Sequence, residues 1–313
     1  MYKTLSIALQ SKSIKLLIPL LILGSLIAVA SSNYKSIGLI SWQLLSDHLS
    51  VLLLIFGLTF LNLYFEMRKW TSLVNSPLLN RKQAYSSVLV GMCSGFITPN
   101  RVGEFAGRAA LLPRAVRKKA SLMTFAGAGV QGAVTFLAGL IGLWYYPIMP
   151  QLKTYSEMMP ALFYGVIGIG FGILLVLWFK KPLKPHIAAI LKHIKSLSPL
   201  LLSKSFAWAI GRYFIFSSQF VLALYTLGFN GSIVLCYSGV FLLYFCQSYL
   251  PLTSLGELGV REVLAVLILG PFFPDPFMAA LATLIVWVAN IGIPVLIGLF
   301  QIKLAKQRLF GNV

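Results

Sequence analysis

Apolar blocks of about 17 to 27 residues recur along this chain, separated by short basic stretches, and nothing else in the sequence restricts the fold so tightly. The blocks fall at 14–30, 49–66, 120–146, 160–179, 205–227 and 276–301. Inside a bilayer no water is present to satisfy the backbone, so an unbroken apolar run of this length has to be helical. Composition agrees: 58% of the 313 residues are hydrophobic and only 11% are charged. A soluble surface needs roughly a quarter of all residues charged. The expected fold is an all-α integral membrane protein of about six full spans, forming a single membrane domain over residues 1–313.

The net charge of +19, from 26 Lys and Arg against 7 Asp and Glu, would point to nucleic acid in a soluble chain. Here most of the cations lie between apolar blocks, so no nucleic-acid partner is expected and the charge reports topology. Lys3, Lys12, Arg68, Lys69, Arg81, Lys82, the group from Arg114 to Lys119, the lysines from Lys180 to Lys204, and Lys303 to Arg308 all fall on one side. The opposite loops carry only Lys35 and Lys153. That asymmetry predicts both termini in the cytoplasm and places the chain in the cytoplasmic (inner) membrane of a bacterial-type cell. The first block ends in Ala28-Val29-Ala30, a pattern shared with cleavable signal peptides. Its length favours a retained span over cleavage after Ala30. Between spans, Ile187, Ile190, Leu191, Ile194 and Leu197 recur at helical spacing among lysines, which predicts an interfacial helix over about 184–198.

Two further apolar regions, 84–112 and 232–270, are interrupted by proline, glycine and charge. The first is flanked on both ends by cytoplasmic cations, so it enters and returns from that side. The second starts and ends at outer loops and dips in from outside. Both are expected as re-entrant hairpins, which a membrane tolerates where protein or a water-filled cavity covers them. Cys93, Cys236 and Cys246 all lie in apolar stretches and the three histidines lack ligand spacing, so neither a disulfide framework nor a metal or other cofactor is expected.

A shift of 153 residues lays the chain on itself: Gly103-Glu104-Phe105-Ala106-Gly107-Arg108 falls on Gly256-Glu257-Leu258-Gly259-Val260-Arg261. Cys93 lands on Cys246, while Pro99 and Pro251 miss register by one residue. The repeat units are 49–146 and 202–299. Their first spans run in opposite directions, so the repeat is inverted. Interrupted hydrophobic segments at matching positions of an inverted repeat are the sequence mark of a transporter's substrate site.

Proline ends the preceding helix at Pro99 and at Pro251, and new helices are expected to start near Asn100 and Ser254, both good N-caps. Their free N–H groups favour an anion. Glu104 with Arg108, and Glu257 with Arg261, stand four apart in the favourable order. Self-neutralisation of each pair is the simpler alternative, yet charge in a bilayer costs roughly 2.5–3.5 kcal/mol per residue and marks function. Arg101, Arg108, Arg212 and Arg261 against Glu104, Glu257 and Glu262 leave one positive charge in excess, which suits a lipid phosphate. Arg212 lies near a span end, where snorkelling would also account for it. Glu262, Asn62 and Gln219 fit supporting or proton-handling roles, and packing roles equally.

The stretch from Phe96 to Glu104, and Leu250-Pro251 with Gly256 to Glu262, resemble the two hallmark motifs of the lysylphosphatidylglycerol synthase transmembrane, or flippase-like, family. The resemblance runs over nearly the whole chain and implies a lipid-translocating membrane domain, with anionic membrane lipids as partners. The better-known synthases add a cytoplasmic aminoacyl-transferase domain after the membrane region. Here only a short basic tail follows the last span, so aminoacylation is not expected and the chain is read as a non-enzyme. The expected function is that of a flippase or scramblase for an anionic phospholipid or polyprenyl-type lipid. The alternatives are a membrane-embedded enzyme that modifies a lipid headgroup and a non-catalytic partner of a lipid-synthesis enzyme. Oligomeric state is open.

Overall fold

The computed structural model describes residues 46–96, 98, 101–146, 184–248 and 254–310. All regular structure among them is helical. In chain order the helices are α1 (Leu49–Val74), α2 (Arg81–Phe96), α3 (Gly103–Ala110), α4 (Arg114–Tyr145), α5 (Lys184–Lys195), α6 (Pro199–Thr226), α7 (Ile233–Ser248), α8 (Ser254–Ile268), α9 (Phe277–Trp287) and α10 (Ile293–Phe310). A π-helical segment, Val288–Gly292, joins α9 to α10 without a break.

Among the described residues four helices are long and apolar enough to cross a membrane: α1, α4, α6 and the run Phe277–Ile302. They match the expected spans 49–66, 120–146, 205–227 and 276–301, so this is a multi-pass membrane protein. The expected spans 14–30 and 160–179, and the Ala30 cleavage point, lie outside the described residues. Several cations assigned to loops are helical instead. α1 runs on through Arg68 and Lys69 to Val74, and α4 begins at Arg114. Hydropathy stops at the first charge, whereas a helix continues wherever its charges find partners or reach solvent. Leu53, Trp144, Phe214 and Phe300 stand exposed on the outside of the long helices, as lipid-facing side chains do.

Helix ends follow local chemistry. Asn80 accepts the Gln83 N–H at 2.8 Å before α2, and Ser198 with Pro199 opens α6. Asn75 closes α1 in the left-handed conformation. α5 starts at the expected start of the helix read at about 184–198 and ends three residues before its expected end; Ile194 on it and Leu197 just after it pack against the α1–α4 core.

Each interrupted region is two helices rather than one, α2 with α3 and α7 with α8. In the first pair the α3 glycines Gly103 and Gly107, four apart, lie against α2 at Ser94 and Val90, while the α2 glycines Gly91 and Gly95, also four apart, face the Arg101, Glu104 and Arg108 side chains. The backbones approach so closely that a Cβ on Gly107 would lie 2.6 Å from Ser94 Oγ and 2.8 Å from the Val90 carbonyl. At Gly239 and Gly259 of the second pair no such interlock is seen: a Cβ on Gly259 meets nothing within 4 Å, and one on Gly239 lies nearest the Leu269 and Ile268 side chains.

The order long helix, two short helices, long helix occurs twice, and partners correspond. α2 packs on α10 as α7 packs on α4; α3 packs on α4 as α8 packs on α9; α1 and α6 pack closely along each other. Among the described residues two apolar cores are much larger than the rest. One surrounds Trp70, Leu73 and Met123, the other Phe220, Phe245 and Trp287.

Candidate functional site

Thr59, Asn62, Glu66 and Lys69 lie three, four and three residues apart, so α1 carries a polar stripe on one face. All four are buried. Glu66 is a hub. Lys69 Nζ sits 2.7 Å from its Oε2, Arg108 Nη2 from α3 2.6 Å from its Oε1, and Arg212 Nη1 from α6 3.0 Å from Oε2. Arg108 also donates from Nε to Glu104 at 3.0 Å and from Nη2 to the same oxygen, so it clamps two carboxylates. Its guanidinium lies 5.4 Å from the Trp70 ring, whose own N–H donates to Thr124 at 3.0 Å. Gln131 on α4 accepts from Arg212 at 3.2 Å and from Lys69 at 3.4 Å.

Arg101 flanks this cluster, 3.9 Å from Glu104, with φ at 54°. A left-handed arginine is uncommon and lets the chain turn sharply into α3. That helix starts at Gly103, later than expected, and Thr98 Oγ1 accepts the Gly103 N–H at 2.8 Å. Thr98 thus takes the capping role expected of Asn100. Asn100, Pro99 and Pro251 lie outside the described residues. α8 begins at Ser254 as expected.

In the second half the expected pairing fails. No ion pair joins Glu257 to Arg261 among the described residues; Arg261 Nε donates to Gln247 at 2.9 Å and its guanidinium lies 5.5 Å from the Tyr244 ring. Position 247 corresponds to Ser94 under the 153-residue shift. Ser94 is short and bonds back to the Val90 carbonyl, whereas glutamine reaches the arginine. Glu262 Oε1 is buried without a hydrogen-bond partner among the described residues.

Arg108 and Arg261 do not share a carboxylate. They are linked through Arg212, which bonds Glu66 on one side and lies 5.9 Å from the Phe216 ring on the other. Phe216 packs edge-on against Tyr244 at 4.9 Å, and Tyr244 carries Arg261. Arg212 is therefore a central member and no snorkelling residue.

Asn62 and Gln219 belong to a third group. Gln219 donates to the Ile55 carbonyl at 2.6 Å and to Thr59 Oγ1 at 3.2 Å; Asn290 of the π segment donates to Gln219 at 2.9 Å and receives a bond from Asn62. Under the same shift Thr59 falls on Arg212 and Glu66 on Gln219. The Thr59–Gln219 hydrogen bond and the Arg212–Glu66 ion pair are thus one pair of positions met twice, once neutral and once ionic.

Sequence reasoning missed Glu66, Lys69, Gln131, Gln247 and Asn290. Glu66 and Lys69 stood at the edge of an apolar block and read as its boundary. The alignment of Glu66 with Gln219 was the signal that would have found the hub. Among the described residues Arg101, Lys69, Arg108 and Arg212 face two carboxylates, Glu66 and Glu104, so the cluster keeps a surplus of positive charge. The Nε atoms of Arg101 and Arg212 are buried donors without hydrogen-bond partners among the described residues. Such a cluster accepts an anion.

No match was found among curated proteins or among solved structures. A family match does cover residues 16–298, and its description is the lysylphosphatidylglycerol synthase TM region. With nearly the whole chain matched, the protein belongs to the family of lysylphosphatidylglycerol synthase transmembrane regions.

Proposed function

We propose that this protein translocates a lipid with an anionic headgroup, a phospholipid or polyprenyl-type lipid, across the cytoplasmic membrane, with both termini in the cytoplasm. The observation that carries this reading is the cluster on α1, α4, α6 and α3 with the turn before it, where four cations face two carboxylates and two arginine Nε donors lack hydrogen-bond partners among the described residues. Charge buried among membrane-crossing helices is expensive and is kept where a substrate uses it. In this reading 49–146 and 202–299 form an inverted repeat, and α2–α3 and α7–α8 are re-entrant hairpins entering from opposite faces. The corresponding helix partners and the doubly met contact support that symmetry. Arg101, Arg108 and Arg212 hold the phosphate, while Glu66 and Glu104 orient the arginines. Arg261, steered by Gln247 and Tyr244, guides the headgroup from the second half, with Glu257 and Glu262 beside it.

The test is leaflet-resolved translocation by the purified chain in phosphatidylethanolamine–phosphatidylglycerol liposomes, using labelled phosphatidylglycerol and a labelled polyprenyl phosphate. Mass spectrometry of the lipid shows whether it emerges unmodified. Arg108→Lys and Arg261→Lys, matched for folded protein, should lower the rate about tenfold, the effect of losing one charge-assisted hydrogen bond. Parental rates in both variants, or no movement by the parent, would sink the reading. Chemically altered lipid would favour a headgroup-modifying enzyme instead.

A further inference from the structure

The amide group formed by Asn62, Gln219 and Asn290 has no part in holding a phosphate, and its hydrogen bonds run in one direction. Gln219 is pinned because its N–H groups serve the Ile55 carbonyl and Thr59 Oγ1. Asn290 is pinned because its N–H groups serve Gln219 Oε1 and the Val286 carbonyl at 3.3 Å. Asn62 then has to donate to Asn290, since a flipped amide would set carbonyl against carbonyl. Five of the six amide N–H bonds are thereby placed, while the three amide oxygens accept only two. The surplus is on the acceptor side. Its end point is Asn62 Oδ1, buried and without a hydrogen-bond partner among the described residues, on a side chain only 4% exposed.

A buried excess of oxygen lone pairs calls for a cation or a donor. Every oxygen in the group is neutral, which suits a single positive charge better than a double one. The group also includes a π-helical segment, a distortion frequent at functional sites. We propose that Asn62, Gln219, Asn290 and Thr59 form a binding site for a small monovalent cation such as Na⁺. Along α1, Asn62 stands about one helical turn, ~6 Å of axial rise, from Glu66, the residue on which Lys69, Arg108 and Arg212 converge. Their positive surplus opposes the cation until an anion neutralises it, so the two ligands bind cooperatively and the cation is carried with the lipid. That coupling rests on the anion reading above; the cation site does not.

The experiment measures thermal unfolding of the full chain in detergent, in NaCl, KCl, LiCl and choline chloride at constant ionic strength. The expected result is a saturable rise in Tm with one of the alkali cations over choline, as ligand binding to the folded state requires. Asn62→Leu should abolish the rise. Asn62→Asp should lower the half-saturating concentration and keeps the test decisive if the leucine variant fails to fold. Equal Tm in all four salts, or an undiminished response in Asn62→Leu, would overturn the site. In a second arm, adding short-chain phosphatidylglycerol should lower the half-saturating cation concentration about tenfold. An unchanged value there removes the coupling and leaves the cation site standing. A protein that responds to cation yet translocates no lipid counts against the translocation reading alone.

Discussion

Glu66 carries more of the electrostatic balance than any other side chain in the cluster, because Lys69, Arg108 and Arg212 all reach it. Since cations outnumber carboxylates there, removing one of each kind has unequal effects. Glu66→Gln strips the shared counter-charge from three buried or half-buried cations and should destabilise by about 3–5 kcal/mol. Lys69→Met removes a like charge from an already positive group and fills its space with a side chain of similar length, so it should cost distinctly less. Denaturation of the two variants side by side in detergent checks this order. Equal losses, or a larger loss for Lys69→Met, would mean that Lys69 is needed to balance charge which the contacts do not reveal.

At the scale of elements, the two short-helix pairs differ in how they pack. Gly107→Ala drives a methyl into Ser94 and the Val90 carbonyl and should destabilise by about 1–3 kcal/mol, the usual cost of overpacking. Gly259→Ala on α8 meets open space and should be neutral or stabilising by up to about 1 kcal/mol, from helix propensity alone. Thermal unfolding of both variants separates them. Element positions were largely legible in the sequence, because apolar length translates directly into span. Their ends were not: the block 49–66 stops at Glu66, but α1 continues because Glu66 and Lys69 pair with each other inside the protein. The site was half legible. Arg108 and Glu104 showed through the repeat, whereas Gln131, Gln247 and Asn290 are neutral amides in apolar runs, and only the fold reveals what they touch. The expected Glu257–Arg261 pair failed because a longer side chain on a neighbouring helix competes for the arginine.

For the whole molecule, re-entrant hairpins predict a simple pattern of access. With the native cysteines replaced, Gln83→Cys and Arg114→Cys should react with an impermeant reagent from one side of the membrane, and Asn230→Cys from the other. Labelling of positions 83 and 114 from different sides would make α2–α3 a crossing element and remove the basis for the inverted arrangement. The glycine interlock between α2 and α3 has a further consequence, and it is mechanical. Two helices in backbone contact have almost no compliance between them, so a push on one end is transmitted rather than absorbed. α7 at Gly239 meets the end of α8 through the deformable Ile268 and Leu269 side chains and yields under the same load. Under any such load the α2–α3 pair therefore acts as the lever and the α7–α8 pair as the spring.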